Sequence, residues 1–138
     1  MREIIFDALA HDADLFDDFG IDEDHVFPNY AIDKTPRDNM FLIIRYEEQD
    51  LTNFAIGRGA NILTIWAHRP KELGADMTMV RDLLEEVRVI LLGLVGQTDS
   101  SWRMTDVRFT GYGGDLSDPG YNTFTKNAAF EVLCHRIG

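Results

Sequence analysis

The amino-acid sequence predicts an α+β domain: an antiparallel or mixed sheet of about four to five strands packed against one long helix, with a short N-terminal helix. Three observations predict it. Two segments alternate apolar side chains with period two, one segment of about twenty residues repeats apolar residues at helical spacing, and two more strand-like segments follow. The 138 residues show no internal repeat or low-complexity tract, so a single domain over residues 1–138 is predicted.

The N-terminal elements are predicted to be short. Ile5 and Leu9 stand at helical spacing within residues 2–10, and a continuation of the helical pattern is expected to stop at Gly20. Residues 25–31 form a weak strand candidate. Because Pro28 cannot donate a backbone hydrogen bond, this strand belongs at an edge of the sheet.

Residues 40–46 and 61–68 are predicted to be central strands, since apolar side chains occupy both faces of each. In the first, Met40, Leu42 and Ile44 point one way and Phe41 and Ile43 the other. The connection over residues 47–60 is long for a hairpin, and long loops in compact domains are often functional.

The clearest element is a helix over residues 76–95, with Asp76 as its N-cap and an apolar stripe that faces the sheet. Residues 102–110 and 124–134 are the last two strands, joined by a loop of turn residues at 111–121. The side chains of the final strand that are predicted to face the core are Phe124, Lys126, Ala128, Phe130, Val132 and Cys134.

The charge balance excludes several classes of function. With 13 Lys and Arg against 24 Asp and Glu, the formal net charge is −11, which disfavours charge-driven binding of nucleic acid or of an anionic membrane. The longest apolar run is far shorter than the about 20 residues of a spanning helix, and no export signal is visible, so folding in a cytoplasm is expected. Residues 1–50 hold 14 of the acids and four of the bases; they predict a solvated face, a surface for a basic partner, or a device that repels like charge.

No motif predicts a metal, a cofactor or a catalytic residue. The acidic run from Asp12 matches a calcium loop at Asp14 and Glu23, but Phe16 and Asp17 stand where an oxygen ligand and a glycine belong. The four histidines are scattered and are interpreted as surface or boundary residues. Cys134 is expected to be buried with a raised pKa and to point away from His135.

Two loops carry apolar residues among glycines, which is typical of protein contact segments. The alternative is that these side chains fold back onto their own sheet. The residues predicted to contact a partner are Phe54, Ile56, Arg58, Tyr112, Leu116 and Tyr121.

The order and size of these elements resemble the tail terminator proteins of long-tailed bacteriophages, above all those of siphophages with actinobacterial hosts. The likeness covers nearly the whole chain and rests on the N-terminal helix, the strands over 40–46 and 62–68, the helix at 81–92 and the closing stretch 120–132. It has no diagnostic motif.

The resemblance implies a virion protein without enzyme activity: a homo-oligomeric ring, a hexamer in the family, that caps the tail tube, stops its polymerisation and joins it to the head connector. Its partners would be further copies, the major tail tube protein and the connector or stopper protein, with DNA passing through the lumen unbound and no membrane contact. It would be assembled in the host cytoplasm and sit at the head-proximal end of the tail. Three alternatives stay open: a connector or tail-completion protein of the adjacent layer, a small acidic enzyme using a carboxylate pair, and an acidic mimic of nucleic acid.

Overall fold

The computed structural model describes residues 2–29, 35–48, 58–99 and 101–137. The helices and strands within these ranges, in chain order, are α1 (Arg2–Ala10), α2 (Ala13–Phe19), β1 (Val26–Pro28), β2 (Phe41–Glu48), β3 (Arg58–Pro70), α3 (Met77–Leu92), β4 (Trp102–Tyr112), β5 (Leu116–Asp118) and β6 (Thr123–Arg136). Two short 3-10 turns precede β1 and follow β3. The predicted α+β class is confirmed.

Over the described residues the strands form one six-stranded mixed sheet in the order β1-β2-β3-β6-β4, with β5 paired to the beginning of β6. Only β1 is parallel to its neighbour, at Val26 opposite Leu42. The last strand therefore lies between β3 and β4 and pairs with both over most of its length. β4 and β5 follow each other along one side of β6, and both run antiparallel to it.

The main core lies between α3 and one face of the sheet. Asp76 caps α3 as predicted, since its side chain accepts the Met79 N–H at 3.3 Å, and Gly93 follows the last helical residue. The helix buries one apolar stripe, mainly against β3, β6 and β4. Buried members of this core include Val80, Leu83, Leu84, Val87, Leu91, Leu42, Ile44, Leu63, Ile65, Ala128, Phe130 and Val132.

A second, smaller core lies on the opposite face of the sheet. Phe41, Ile43 and Tyr121 are buried there, with Phe27 and Trp66 packed against them. This division confirms the predicted alternation of residues 40–44, in which Met40, Leu42 and Ile44 belong to the helix side. The alternation continues through β3, because Phe41 stands opposite His68 and Ile43 opposite Trp66.

Several predicted details differ from the structure. Six strands replace the predicted four to five, because residues 116–118 of the predicted loop form β5. The predicted loop over 47–60 is shorter, since β2 continues to Glu48 and β3 begins at Arg58. In β6 the uninterrupted alternation puts Phe124 and Lys126 on the predicted face with Ala128 and Phe130, but the two side chains are half-buried. Thr123 and Thr125 are buried on the opposite face.

The stop signal at Gly20 is confirmed. Gly20 adopts φ +67° after α2, and its backbone N–H donates back to the end of the helix. The Asn39 side chain donates to the carbonyls of Phe19 and Gly20 at 3.0 and 2.9 Å. The α2 end is therefore tied to the segment that leads into β2.

Substitution of Gly20 with alanine is expected to lower the free energy of unfolding by about 1–2 kcal/mol, because an L-residue is strained at this φ. A Cβ there would also stand 2.9 Å from Asn39 Nδ2. Urea denaturation measures the effect. Gly114→Ala is the matched control, since open space surrounds that position; equal losses in both variants would contradict the explanation.

Candidate functional site

A cleft of about 230 Å3 opens on the face of the sheet opposite α3, near the β1 edge. The strands β2 and β3 supply its floor, Asn29 after β1 borders it on one side, and the turn after β5 borders it on the other. Its lining residues are Asn29, Ile43, Arg45, Tyr46, Trp66, His68, Asp118 and Tyr121. Aromatic rings and opposite charges thus meet in one concave site, as is typical of binding sites.

His68 forms the inner part of the cleft and is 2% exposed. Its ring lies parallel to that of Phe41, with centroids 5.0 Å apart, and 4.7 Å from that of Tyr121. Nδ1 of His68 shares a hydrogen bond of 2.7 Å with Oγ1 of Thr123. Burial lowers the pKa of His68 to about 4, against the opposing effect of the Asp118 carboxylate, so the imidazole is neutral at pH 7.

The prediction that every histidine lies at the surface or boundary is wrong for His68. The alternation of β3 places residue 68 on the same face as Thr64 and Trp66, and this face is covered by Phe41 and Tyr121. The covering residues come from distant parts of the chain. The local sequence pattern therefore predicts on which face of the sheet His68 lies, but not that its side chain is buried.

Arg37 holds the wall of the cleft in place. Its Nε and Nη2 donate to both carboxylate oxygens of Glu72 at 2.7 Å, while Nη1 donates to the Tyr121 carbonyl at 2.6 Å. This bidentate pair lowers the pKa of Glu72 and raises that of Arg37. The Tyr121 N–H donates to Asp118 Oδ1 at 3.1 Å, which fixes the turn that bears both side chains.

Of the predicted partner-contact residues, those whose side chains the structure describes, Tyr112, Leu116 and Tyr121, do not form one cluster. Phe54 and Ile56 lie outside the described residues, and of Arg58 the structure describes the backbone, which pairs with His135. Leu116 is 51% exposed on β5, whereas Tyr121 is 7% exposed. Tyr121 thus follows the alternative prediction, folding back onto its own sheet, and its ring becomes a wall of the cleft.

Tyr112 lies on the helix side of the sheet, away from the cleft. Its ring contacts that of Phe109 at 4.8 Å and packs against the main core. The ammonium group of Lys126 lies 5.9 Å from the Tyr112 ring. Trp66, His68 and Asp118 line the cleft but were not predicted as site residues, although the alternation of residues 61–68 already placed Trp66 and His68 on one face.

Cys134 and His135 are arranged as predicted. The thiol is buried, and burial raises its pKa to about 11. His135 is exposed on the other face of β6. The two side chains therefore do not form a nucleophilic pair.

The N-terminal acids converge on α3. Oxygen atoms of Asp12, Asp14 and Glu86 lie within 4.8 Å of one another, although Asp12 also caps α2 by accepting the Leu15 N–H at 2.9 Å. Burial and the charges of Asp14, Asp12 and Asp18 raise the pKa of Glu86. This acidic corner shares no residue with the cleft.

Neutralising Glu86 is expected to stabilise the protein at pH 7. A raised carboxyl pKa means that ionisation of Glu86 is disfavoured in the folded state. Glu86→Gln should therefore raise the free energy of unfolding by about 0.5–1 kcal/mol at pH 7. The gain should be smaller at acidic pH, where Glu86 is already protonated. Denaturation at pH 7 and below pH 4 measures this. In the control Glu85→Gln the lost carboxylate accepts from Arg81 at 3.2 Å, so no gain is expected; a gain there too would assign the effect to general charge reduction.

Beyond the cleft, the face of the sheet opposite α3 carries no helix in the described part of the chain. Ile62, Trp66, Ala129 and Leu133 are half-buried on it. Arg45, Glu131 and Arg108 lie between them, the last bonded to Asp106 at 2.7 Å. This mixed apolar and charged surface is defined here as the open face.

Compared with known protein families and with curated proteins, the chain matches none of them. None of the described helices has the length and apolar character that crossing a membrane requires. The candidate site therefore rests on its own geometry: an aromatic cleft and an open face on one side of a mixed sheet.

Proposed function

We propose that the chain is a structural protein of a bacteriophage tail, a tail terminator that forms a ring of six copies. The ring caps the tail tube at its head-proximal end, stops tube polymerisation and joins the tube to the head connector. It is assembled in the host cytoplasm.

The observation that carries this proposal is the open face together with the cleft. Within the described residues, helices cover one side of the sheet only, and half-buried Ile62, Trp66 and Leu133 are spread over the other. Interfaces between subunits combine such apolar residues with arginine and aromatic side chains. A ring component needs surfaces of this kind for neighbouring copies and for the layers above and below it.

The charge distribution fits the same role. Residues 1–50, which hold 14 acids and four bases, supply α1, α2 and the turn before β1. A ring that directs these acidic N-terminal elements toward its lumen repels the phosphates of passing DNA. A ring structure with these elements on the outer rim would contradict this assignment.

The test of the function begins with native mass spectrometry over a concentration series, with negative-stain images of the same samples. A sixfold mass and rings with a central hole are expected. The protein is then added to polymerising tube protein, and the length of the tubes is measured. Tubes that grow unchanged in its presence would overturn the terminator function, whatever the oligomeric state.

Leu116→Ser is expected to weaken capping of the tube, because an apolar side chain that is 51% exposed on β5 is available to a partner. Stability should change by no more than about 0.5 kcal/mol. Val95→Ser is the matched control, at 49% exposure outside β5 and the predicted contact loops. If Leu116→Ser and Val95→Ser cap the tube equally well, Leu116 does not contact the tube.

A further inference from the structure

The two halves of the sheet carry different chemistry. The cleft lies over β2 and β3, is bordered by Asn29 after β1, and contains the rings of Trp66 and Tyr121 and the carboxylate of Asp118. At the β4 edge, Arg103 is exposed on the outer strand. It precedes the buried Met104, so strand alternation places it on the open face, the same side as the cleft. The cleft and Arg103 thus lie apart on one face, the cleft over β2 and β3 and Arg103 on the outer strand β4.

The cleft suits a cationic side chain. Aromatic faces attract cations, and a guanidinium stacks on them more readily than an ammonium does. Asp118 Oδ1 accepts from the Tyr121 N–H, and its other oxygen accepts no hydrogen bond from the described residues. Arg45, the one cation among the described lining residues, lies 3.4 Å from the Glu47 carboxylate, so its charge is already compensated.

Arg103 suits the role of ligand. In the described part of the chain its guanidinium has neither an ion pair nor a hydrogen bond, in contrast to Arg37, Arg81 and Arg108, each of which is bonded to a carboxylate. An exposed arginine next to the edge of a sheet can reach a neighbouring molecule without losing an internal contact.

Charge complementarity selects a second copy as the occupant. The helix α1 contacts β1 and the acidic turn that leads into β1, whereas residues 51–138 are almost neutral, with ten acids and nine bases. Contact between the β1 edge of one copy and the β4 edge of the next joins unlike surfaces, and contact between two β1 edges joins like charges. Such head-to-tail contacts form a ring when the rotation between successive copies closes, as the proposed sixfold ring requires.

We propose that the cleft is a subunit-binding site that receives Arg103 of a neighbouring copy, its guanidinium stacked between Trp66 and Tyr121 and paired with Asp118. This inference rests on the proposed ring. The inference names the two surfaces that join neighbouring copies. Because the two surfaces differ, the contact between the copies is heterologous.

The test uses charge reversal in the full chain, read by analytical ultracentrifugation and native mass spectrometry. Arg103→Glu and Asp118→Lys are each expected to raise the dissociation constant of the oligomer about tenfold or more. The double variant Arg103→Glu/Asp118→Lys restores an ion pair with exchanged charges and should recover part of the assembly, since the glutamate introduced at position 103 lacks the stacking of a guanidinium. An equimolar mixture of the two single variants should assemble more strongly, because alternating copies then make wild-type contacts between Arg103 and Asp118 and exchanged contacts between the two introduced side chains. Asp118→Asn keeps the acceptor for the turn and should also weaken assembly.

Arg81→Glu and Asp82→Lys are the matched controls, since they make the same changes of charge on the exposed side of α3. Thermal unfolding of every variant verifies that it is folded. If the protein forms rings that Arg103→Glu and Asp118→Lys leave intact, the docking site is wrong while the ring stands. If assembly depends on the pair but tubes grow unchanged, the docking site stands and the terminator function fails. The NMR resonance of the Trp66 indole N–H, followed over the same concentration series, should shift when a second copy enters the cleft. A wild-type protein that stays monomeric at every concentration and shows no such shift overturns the docking site as well.

Discussion

Phe130→Ala is expected to lower the free energy of unfolding by about 3–5 kcal/mol, the range for truncating a buried aromatic side chain. Phe130 is buried at the centre of β6, opposite Leu63 of β3 and Phe109 of β4. Its ring lies 5.5 Å from that of Phe109. The strand is held on both sides, so backbone movement cannot fill the cavity that alanine would leave.

The matched control for Phe130→Ala is Phe16→Ala, which removes the same atoms from a side chain that is 58% exposed on α2. A change within about 0.5 kcal/mol is expected there. Urea denaturation with a common slope measures both variants. Where Phe130→Ala does not fold, Phe130→Leu should still fold with a smaller loss. A loss below about 1 kcal/mol for Phe130→Ala would contradict the placement of β6 in the core.

The elements that the sequence predicted well are those whose signal is local. α3 repeats apolar residues at helical spacing behind the N-cap Asp76, and the structure has it at Met77–Leu92. Residues 40–46 alternate apolar side chains on both faces, and the structure buries both, Leu42 against α3 and Phe41 in the second core. In each case the period of the pattern equals the period of the backbone.

The arrangement of the strands depends on contacts distant in sequence. The pairing of β6 with β3, such as Leu63 opposite Phe130, joins residues that are far apart, and no local pattern specifies which strand enters the middle of the sheet. The alternation of β6 likewise gives the face of Thr123 and Thr125 but not their burial, since Thr123 is covered by contact with His68 of β3.

The candidate site was predicted only in part. The loop over 111–121 was expected to be functional, and its end supplies Asp118 and Tyr121 to the cleft. The cleft itself exists because this turn is carried back across β3, where Arg37 bonds to the Tyr121 carbonyl. Such a tertiary contact has no counterpart in composition or periodicity.

Burial of neutral His68 predicts a loss of stability on acidification. In the folded protein the pKa of His68 is lowered from 6.5 to about 4, so between these values the unfolded chain binds the additional proton and gains stability relative to the folded chain. The contribution is complete above pH 6.5 and is lost progressively down to pH 4, by about 3 kcal/mol in total. Below pH 4 both states carry the proton, and this part of the pH dependence ends.

Denaturation of the wild type and of His68→Gln between pH 7 and 4 measures this contribution, because carboxylates that titrate in the same range contribute equally to both proteins. The wild type should lose about 3 kcal/mol more than the variant over this interval. His135→Gln, which removes an exposed imidazole, should follow the wild type. If His68→Gln also follows it, the imidazole takes up a proton inside the fold near its ordinary pKa. The stacking of His68 on Phe41 and its bond to Thr123 would then fail to hold it neutral.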